Sequence, residues 1–225
     1  MTKKFMTGLL ALVALAAMAL PAVASASPEI GETSGGVFTK LATGSAIRAT
    51  NVGETLMTDE SGNILTRCTT AQMDGTLNTN SGTEIQGTIN TASFSGTGAE
   101  GRCTATFGDS TITTAATGSN GTPWCLSAGG KLAADTFSLR GNSCANASRS
   151  ITFVLDTSFG TCKYERTAAV TGSFVTDTSG QQAQATATKQ EFPGETGNPF
   201  TCPAKGFLDM TFNLETTNGT ALYIK

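Results

Sequence analysis

The sequence predicts an all-β protein: a single domain of about a dozen antiparallel strands forming a β-sandwich, with a closed β-barrel as the alternative. Three observations predict it. Short apolar and polar alternations recur between turn residues at about the spacing of a sandwich or barrel. Charged residues make up only 14% of the 225-residue chain, which is rich in Gly, Thr, Ser and Ala. Heptads and long apolar stripes of helical period are missing.

The chain opens MTKKFMTGLLALVALAAMALPAVASA. Two lysines, an apolar run from Leu9 to Leu20 and the small-x-small pattern Ala24-Ser25-Ala26 read as a signal peptide over residues 1–26, with the mature start at Ser27. That run is shorter than the roughly 20 apolar residues a spanning helix needs. Nothing later approaches the length, so the expected mature chain has no membrane span and is secreted, whether extracellular or kept in the periplasm or cell envelope. Without Lys3 and Lys4, twelve basic residues face seventeen acidic ones, a net charge near −5. Such a balance argues against nucleic acid and anionic membrane surfaces as partners.

Residues 27–36, which include PEIGETSGG, read as a flexible leader, and residues 37–225 as the β-domain. Within it, ETLMTDESGNILTRC reads as two strands around the turn Asp59-Glu60-Ser61-Gly62. AQMDGTLNTNSGTEIQGT, Ala71 to Thr88, reads as a hairpin with Met73 and Leu77 on one face. SITFVLDT turns Ile151, Phe153 and Leu155 inward, and AAVTGSFVTDTSGQQAQAT, Ala168 to Thr186, reads as a second hairpin with Val170 and Phe174 inward. The clearest strand is GFLDMTFNLET. Leu208, Met210, Phe212 and Leu214 fall on its core face, and Asp209, Thr211, Asn213 and Glu215 on its wet face.

The two hairpins share a rhythm. With Thr178 taken as one inserted residue, Ala71 matches Ala168, Gly75 matches Gly172, Thr79 matches Thr176, Gln86 matches Gln184, and Thr88 matches Thr186. Each hairpin also has a cysteine just before it and another well after it, followed by a further strand. These features suggest an internal duplication with repeats at about 64–117 and 160–217. The abundance of Thr, Gly, Ser and Ala supplies the competing explanation, a chance match.

All six cysteines lie beyond the signal peptide, and their even number in an exported chain reads as three disulfides. Six cysteines allow fifteen pairings. The shared frame favours Cys68–Cys103 and Cys162–Cys202, which leaves Cys125–Cys144. The symmetric alternative, Cys68–Cys202 with Cys103–Cys162, closes much longer loops.

No catalytic residue, cofactor or metal site is assigned. Histidine is absent, which removes Ser-His-Asp and Cys-His arrangements, and the cysteine spacings do not suit a metal. Carboxylate catalysis needs two acids held roughly 5 to 9 Å apart. Asp209 and Glu215 share a strand face, but six residues separate them, or roughly 20 Å. Asp59, Glu60 and Asn63 lack the regular ligand series of a calcium loop and read as a turn.

Trp124, the only tryptophan, stands beside Cys125 in GSNGTPWCLSAGG. It is a candidate ligand contact, a platform for sugars or other flat molecules, or else a core residue packed near a disulfide. The segment EFPGETGNPFTCP, with Phe192 and Phe200, reads as a recognition loop or as a long connection held by Cys202.

Together, the signal peptide, the hairpin GTINTASFSG, the TPW segment and the closing CPAKGFLDMTF resemble poorly characterised secreted β-rich proteins of actinobacteria. The resemblance implies an exported β-domain and brings no activity or functional residue with it. The expected function is a non-enzymatic binding or structural module of the envelope or extracellular space, meeting a surface glycan, a protein or a small apolar ligand. The alternatives are a carrier of a small apolar ligand inside a barrel and a carboxylate-dependent hydrolase.

Overall fold

The computed structural model describes residues 28–106, 108–114, 123–129, 135–142, 144–146, 150–158, 160–175 and 180–225. The signal peptide and the start at Ser27 lie outside them, as do Thr176 and Thr178 of the hairpin match. Among the described residues are seventeen strands rather than a dozen: β1 (Ile30–Ser34), β2 (Val37–Lys40), β3 (Ala46–Asn51), β4 (Thr55–Thr58), β5 (Ile64–Cys68), β6 (Thr70–Asn80), β7 (Glu84–Ser95), β8 (Cys103–Ala105), β9 (Gly108–Thr114), β10 (Trp124–Gly129), β11 (Thr136–Gly141), β12 (Ile151–Thr157), β13 (Gly160–Arg166), β14 (Val170–Val175), β15 (Gln184–Pro193), β16 (Lys205–Thr216) and β17 (Tyr223–Ile224). The excess comes from short strands such as β1, β8 and β17, which are too brief for alternation to show in the sequence.

β16 organises the fold because it has two neighbours along one edge. Its first half pairs with β4 through Phe207, Leu208 and Asp209, and its second half pairs with β3 from Phe212 to Thr216. β15 runs along the other edge. The β3 contact closes an eight-stranded antiparallel barrel in the order β3, β6, β7, β10, β11, β14, β15, β16. The first-choice sandwich is therefore corrected to the barrel. Closure leaves the ring without free edges, whereas a sandwich would leave four. Alternation of side chains is the same in both architectures, so it did not separate them.

Apolar faces meet in register around the ring. Leu214 pairs with Ala49 and Ala49 with Met73; on the other side Phe212 pairs with Ala185 and Ala185 with Phe174. Met73, Leu77, Val170, Phe174, Leu208, Met210, Phe212 and Leu214 are all buried in one core, as expected from their strand faces.

Beyond β4 the sheet continues as a wing, β4-β5-β8-β9-β12-β13, which curls back until Tyr164 in β13 bridges Gly194 just past β15. Phe153 of β12 joins wing and barrel. Its ring lies 5.9 Å from Trp124, 6.1 Å from Phe94 and 5.1 Å from Phe192, all near the same barrel end.

The opposite end is covered by a small sheet, β17-β1-β2, and here the flexible leader is corrected. Ile30 is buried, its N–H donates to the Asn80 side chain at 3.0 Å, and Asn80 donates back to Ile30 O at 2.8 Å and to Leu41 O at 3.0 Å. The Glu29 and Lys225 backbones also exchange two hydrogen bonds. Together with its pairing to β2 and β17, the buried Ile30 and the Asn80 amide hold a segment whose composition alone reads as a linker.

Both sequence hairpins, β6–β7 and β14–β15, belong to the barrel, separated by two strands in either direction around the ring. A Cβ on Gly75 would run into Thr88 O, and one on Gly172 into Thr186 O, and these two pairs correspond in the sequence match. The following strands do not correspond. β9, after Cys103, lies in the wing, whereas β16, after Cys202, lies in the barrel.

Candidate functional site

The wing contains an apolar pocket of about 280 Å³, open on one side. Its walls come from Ile64 and Leu65 of β5, Ala105 of β8, Leu155 of β12, Tyr164 of β13 and Pro203 of the loop before β16. Consecutive residues of a regular strand point to opposite faces. At β5, however, the pairing with β4 slips between Met57 and Thr58, and this irregularity lets Ile64 and Leu65 both reach the pocket. The neighbouring turn is tied by Asp59, whose carboxylate accepts from the Ser61 N–H, the Asn63 N–H and the Asn63 amide, each at 2.8 Å. Gly62 takes the positive φ of 82° that the turn requires.

The other rim is the 194–204 loop, and it is held at several points. Cys202 is bonded to Cys162, with the Cα atoms 5.6 Å apart. Asn198 accepts from the Lys163 N–H at 2.9 Å and donates to Lys163 O at 2.8 Å, imitating a strand neighbour. The Cys202 N–H closes a turn on Pro199 O at 2.9 Å. That turn displays Phe200 fully exposed, while Phe192, from the same sequence segment, is fully buried.

Tyr164 is 0% exposed, and its hydroxyl has no hydrogen-bond partner. Burial first, and then the nearby Asp59 charge, push its phenol up to about 12 from an ordinary 10.0. Asp59 itself lies below the ordinary carboxylate value. Partial desolvation raises it, and the hydrogen bonds from Asn63, Ser61 and Gly62 together outweigh that effect. Lys205 sits 3.1 Å from Glu191 and 3.9 Å from Glu60, tying the start of β16 to β15 and to the turn after β4.

Trp124 is not the platform that its surroundings in the sequence allowed. Its side chain is fully buried against Phe153, so neither face of the indole is open to a flat ligand, and its N–H has no partner. Three disulfides join Cys68 to Cys103, Cys125 to Cys144 and Cys162 to Cys202, the pairs that the cysteine frame favours.

The acids of β16 have structural partners. Asp209 accepts the Lys189 N–H at 2.9 Å, where the β15 pairing is irregular, and Glu215 accepts the Thr50 hydroxyl at 2.6 Å. Among the described residues no cluster of three or more Cys, Asp or Glu is placed to hold a metal ion. No helix there is long and apolar enough to cross a membrane.

The pocket was missed in the sequence. Its walls come from five separated segments, and only the inward alternation of Cys162 and Tyr164 in TCKYERT gave any local sign. No family model matches this chain, and no curated protein or solved structure is significantly similar to it.

Proposed function

We propose that the chain is an exported, non-enzymatic binding module that takes a small apolar ligand in the wing pocket. The export reading rests on the signal-like N-terminus and fits a domain held by three disulfides. Its resemblance to secreted actinobacterial β-rich proteins points the same way. The pocket is the observation that carries the binding reading. It is apolar, half open and walled by residues whose positions are set by strand register and by the Cys162–Cys202 bond.

This modifies the carrier expectation. The barrel interior is filled by Met73, Leu77, Phe174, Phe212 and their neighbours, and its two ends are covered by the small sheet and the wing. The ligand space lies beside the barrel, in the wing.

A protein-observed NMR titration with acetophenone tests the proposal. Saturable shifts centred on Ile64, Leu65, Ala105, Leu155 and Tyr164 are expected, and Leu155→Trp should abolish them by filling the space. Shifts that do not saturate, or that centre elsewhere, defeat it.

Phe200 supports a second reading, contact with a protein or glycan surface, because a pinned turn displays a large apolar side chain to solvent. Phe200→Ser should leave acetophenone binding unchanged and weaken only such a surface contact.

A further inference from the structure

The three disulfides differ in how far a thiol can reach them. Cys68 and Cys103 are both buried, and the Cys68 Sγ touches the Thr66 hydroxyl inside the core of the wing. Cys125 is buried, and the Sγ atoms of Cys125 and Cys144 sit in part-buried contacts with the Ser127 hydroxyl and Gly87 O. Cys202 is partly exposed, and its Sγ lies 3.9 Å from Thr161 O in an exposed contact, while its partner Cys162 forms part of the pocket wall. Exchange requires a thiolate to approach a disulfide sulfur, so access places Cys162–Cys202 first among the three.

The same bond holds the pocket rim. The hydrogen bonds that join the 194–204 loop to β13 gather near its start: the Glu195 N–H donates to Lys163 O at 2.9 Å, and Asn198 bridges the Lys163 N–H and carbonyl. Residues 199–203 carry the pocket residues Thr201 and Pro203. They form their own turn, from the Cys202 N–H to Pro199 O, and Cys202 joins that turn to β13.

We propose that Cys162–Cys202 is an exchangeable disulfide that gates the wing pocket, and that its partner is a dithiol reductant acting at Cys202. The gate rests on the wing pocket being the ligand site, whereas the exchange does not. A thiolate of the reductant attacks the Cys202 Sγ and forms a mixed disulfide, and the electrons of the broken bond leave with Cys162, whose thiolate takes a proton from water. The second thiolate of the reductant then attacks the reductant's own sulfur in the mixed disulfide and releases Cys202, which is protonated in turn. The reductant ends as a disulfide, and two electrons have passed to the cysteine pair. The freed turn carries Thr201 and Pro203 away from the wall, so an apolar ligand loses one side of its site. The barrel stays closed, because its closure lies in the β3–β16 pairing and the other two bonds persist.

Limited reduction of the full disulfide-bonded protein tests the proposal. Samples equilibrated in buffers of graded reduced-to-oxidised dithiothreitol ratio are quenched with iodoacetamide and mapped by mass spectrometry. Cys162 and Cys202 should be alkylated at ratios that leave the other four cysteines bonded, with the far-ultraviolet circular dichroism unchanged. The singly reduced protein should bind acetophenone at least about fivefold more weakly. By linkage, saturating acetophenone should raise the ratio needed to open this bond by the same factor.

Earlier reduction of another pair, or loss of all three bonds together with unfolding, overturns the assignment of Cys162–Cys202 while leaving the pocket reading intact. Selective reduction with unchanged affinity overturns the gate and also leaves the pocket reading intact. Failure of the oxidised protein to bind acetophenone overturns the pocket reading and the gate together, and the mapping still decides the exchange.

Discussion

Tyr164 and Trp124 carry the same feature, a large aromatic ring buried with its polar atom unpartnered. In Trp124 the cost is set against dense ring packing with Phe153 in the core. In Tyr164 the same burial leaves its mark on the phenol's acidity. The elevated phenol pKa has a defined consequence for stability. Folding raises it to about 12 from 10.0, so the stabilising, protonated state persists in full below pH 10. As pH rises from 10 towards 12, ionisation favours the unfolded chain and stability falls. Absorbance near 295 nm should show one of the two tyrosines ionising only at about pH 12, and denaturation midpoints should drop across the same interval. A Tyr164 that titrates at 10 contradicts the burial described.

Among the elements, β16 bears the most weight. It shares its long edge between the barrel and the wing while β15 takes the other edge, so loss of its core face loosens both parts. Phe212→Ala should cost about 3–5 kcal/mol, the usual range for emptying a buried Phe site, measured by urea denaturation. A loss below about 1 kcal/mol would mean that the site collapses freely or is not core. Gly172→Ala should also be severely destabilising, although it adds only a methyl group. The new Cβ would meet Thr186 O and the Phe137 ring, and a backbone oxygen in a closed barrel has little room to move. Gly75→Ala should behave similarly against Thr88 O. A substitution at Gly180, whose added Cβ would meet nothing, should avoid steric cost and show only the strain of its positive φ.

At the scale of the molecule, the disulfides divide the labour. Cys68–Cys103 fastens the wing between β5 and β8, Cys125–Cys144 fastens β10 to the turn after β11, and Cys162–Cys202 fastens β13 to the pocket loop. Their sequence separations are 35, 19 and 40 residues. Loops of that size correspond to about 3–4 kcal/mol each on the chain-entropy estimate, against a total of about 5–15 kcal/mol for a typical domain. Reduction should therefore unfold the protein or lower its thermal midpoint steeply, as read by circular dichroism with and without dithiothreitol. Removing only Cys162–Cys202, as a double serine variant, should loosen the pocket loop and weaken acetophenone binding more than it lowers the midpoint. An unchanged affinity in that variant would show that Asn198 and the Pro199 turn hold the loop without the bond.

The sequence by itself determined which side of each long strand is core. Leu208, Met210, Phe212 and Leu214 alternate with Asp209, Thr211, Asn213 and Glu215, and the buried pattern follows that alternation because a pleated strand has no third direction for a side chain. It also determined the β class and a cysteine frame in which the bonded pairs are taken two by two along the chain. Tertiary structure alone decided the rest. Period-2 alternation reports a face and never a neighbour, so it carries no sign that β16 would meet β3 and close a barrel, or that β4 would take its other half. Residues 27–36 read as a linker, yet Asn80, fifty residues beyond Ile30, takes both backbone groups of Ile30, and the strand that Ile30 begins pairs with β2 and β17. Trp124 has the local surroundings of an exposed ring and is buried because a distant strand brings Phe153 against it. Beyond the alternation of Cys162 and Tyr164 the pocket was not legible, since a concavity belongs to the space between Ile64, Ala105, Leu155, Tyr164 and Pro203, and that space exists only once the wing has curled.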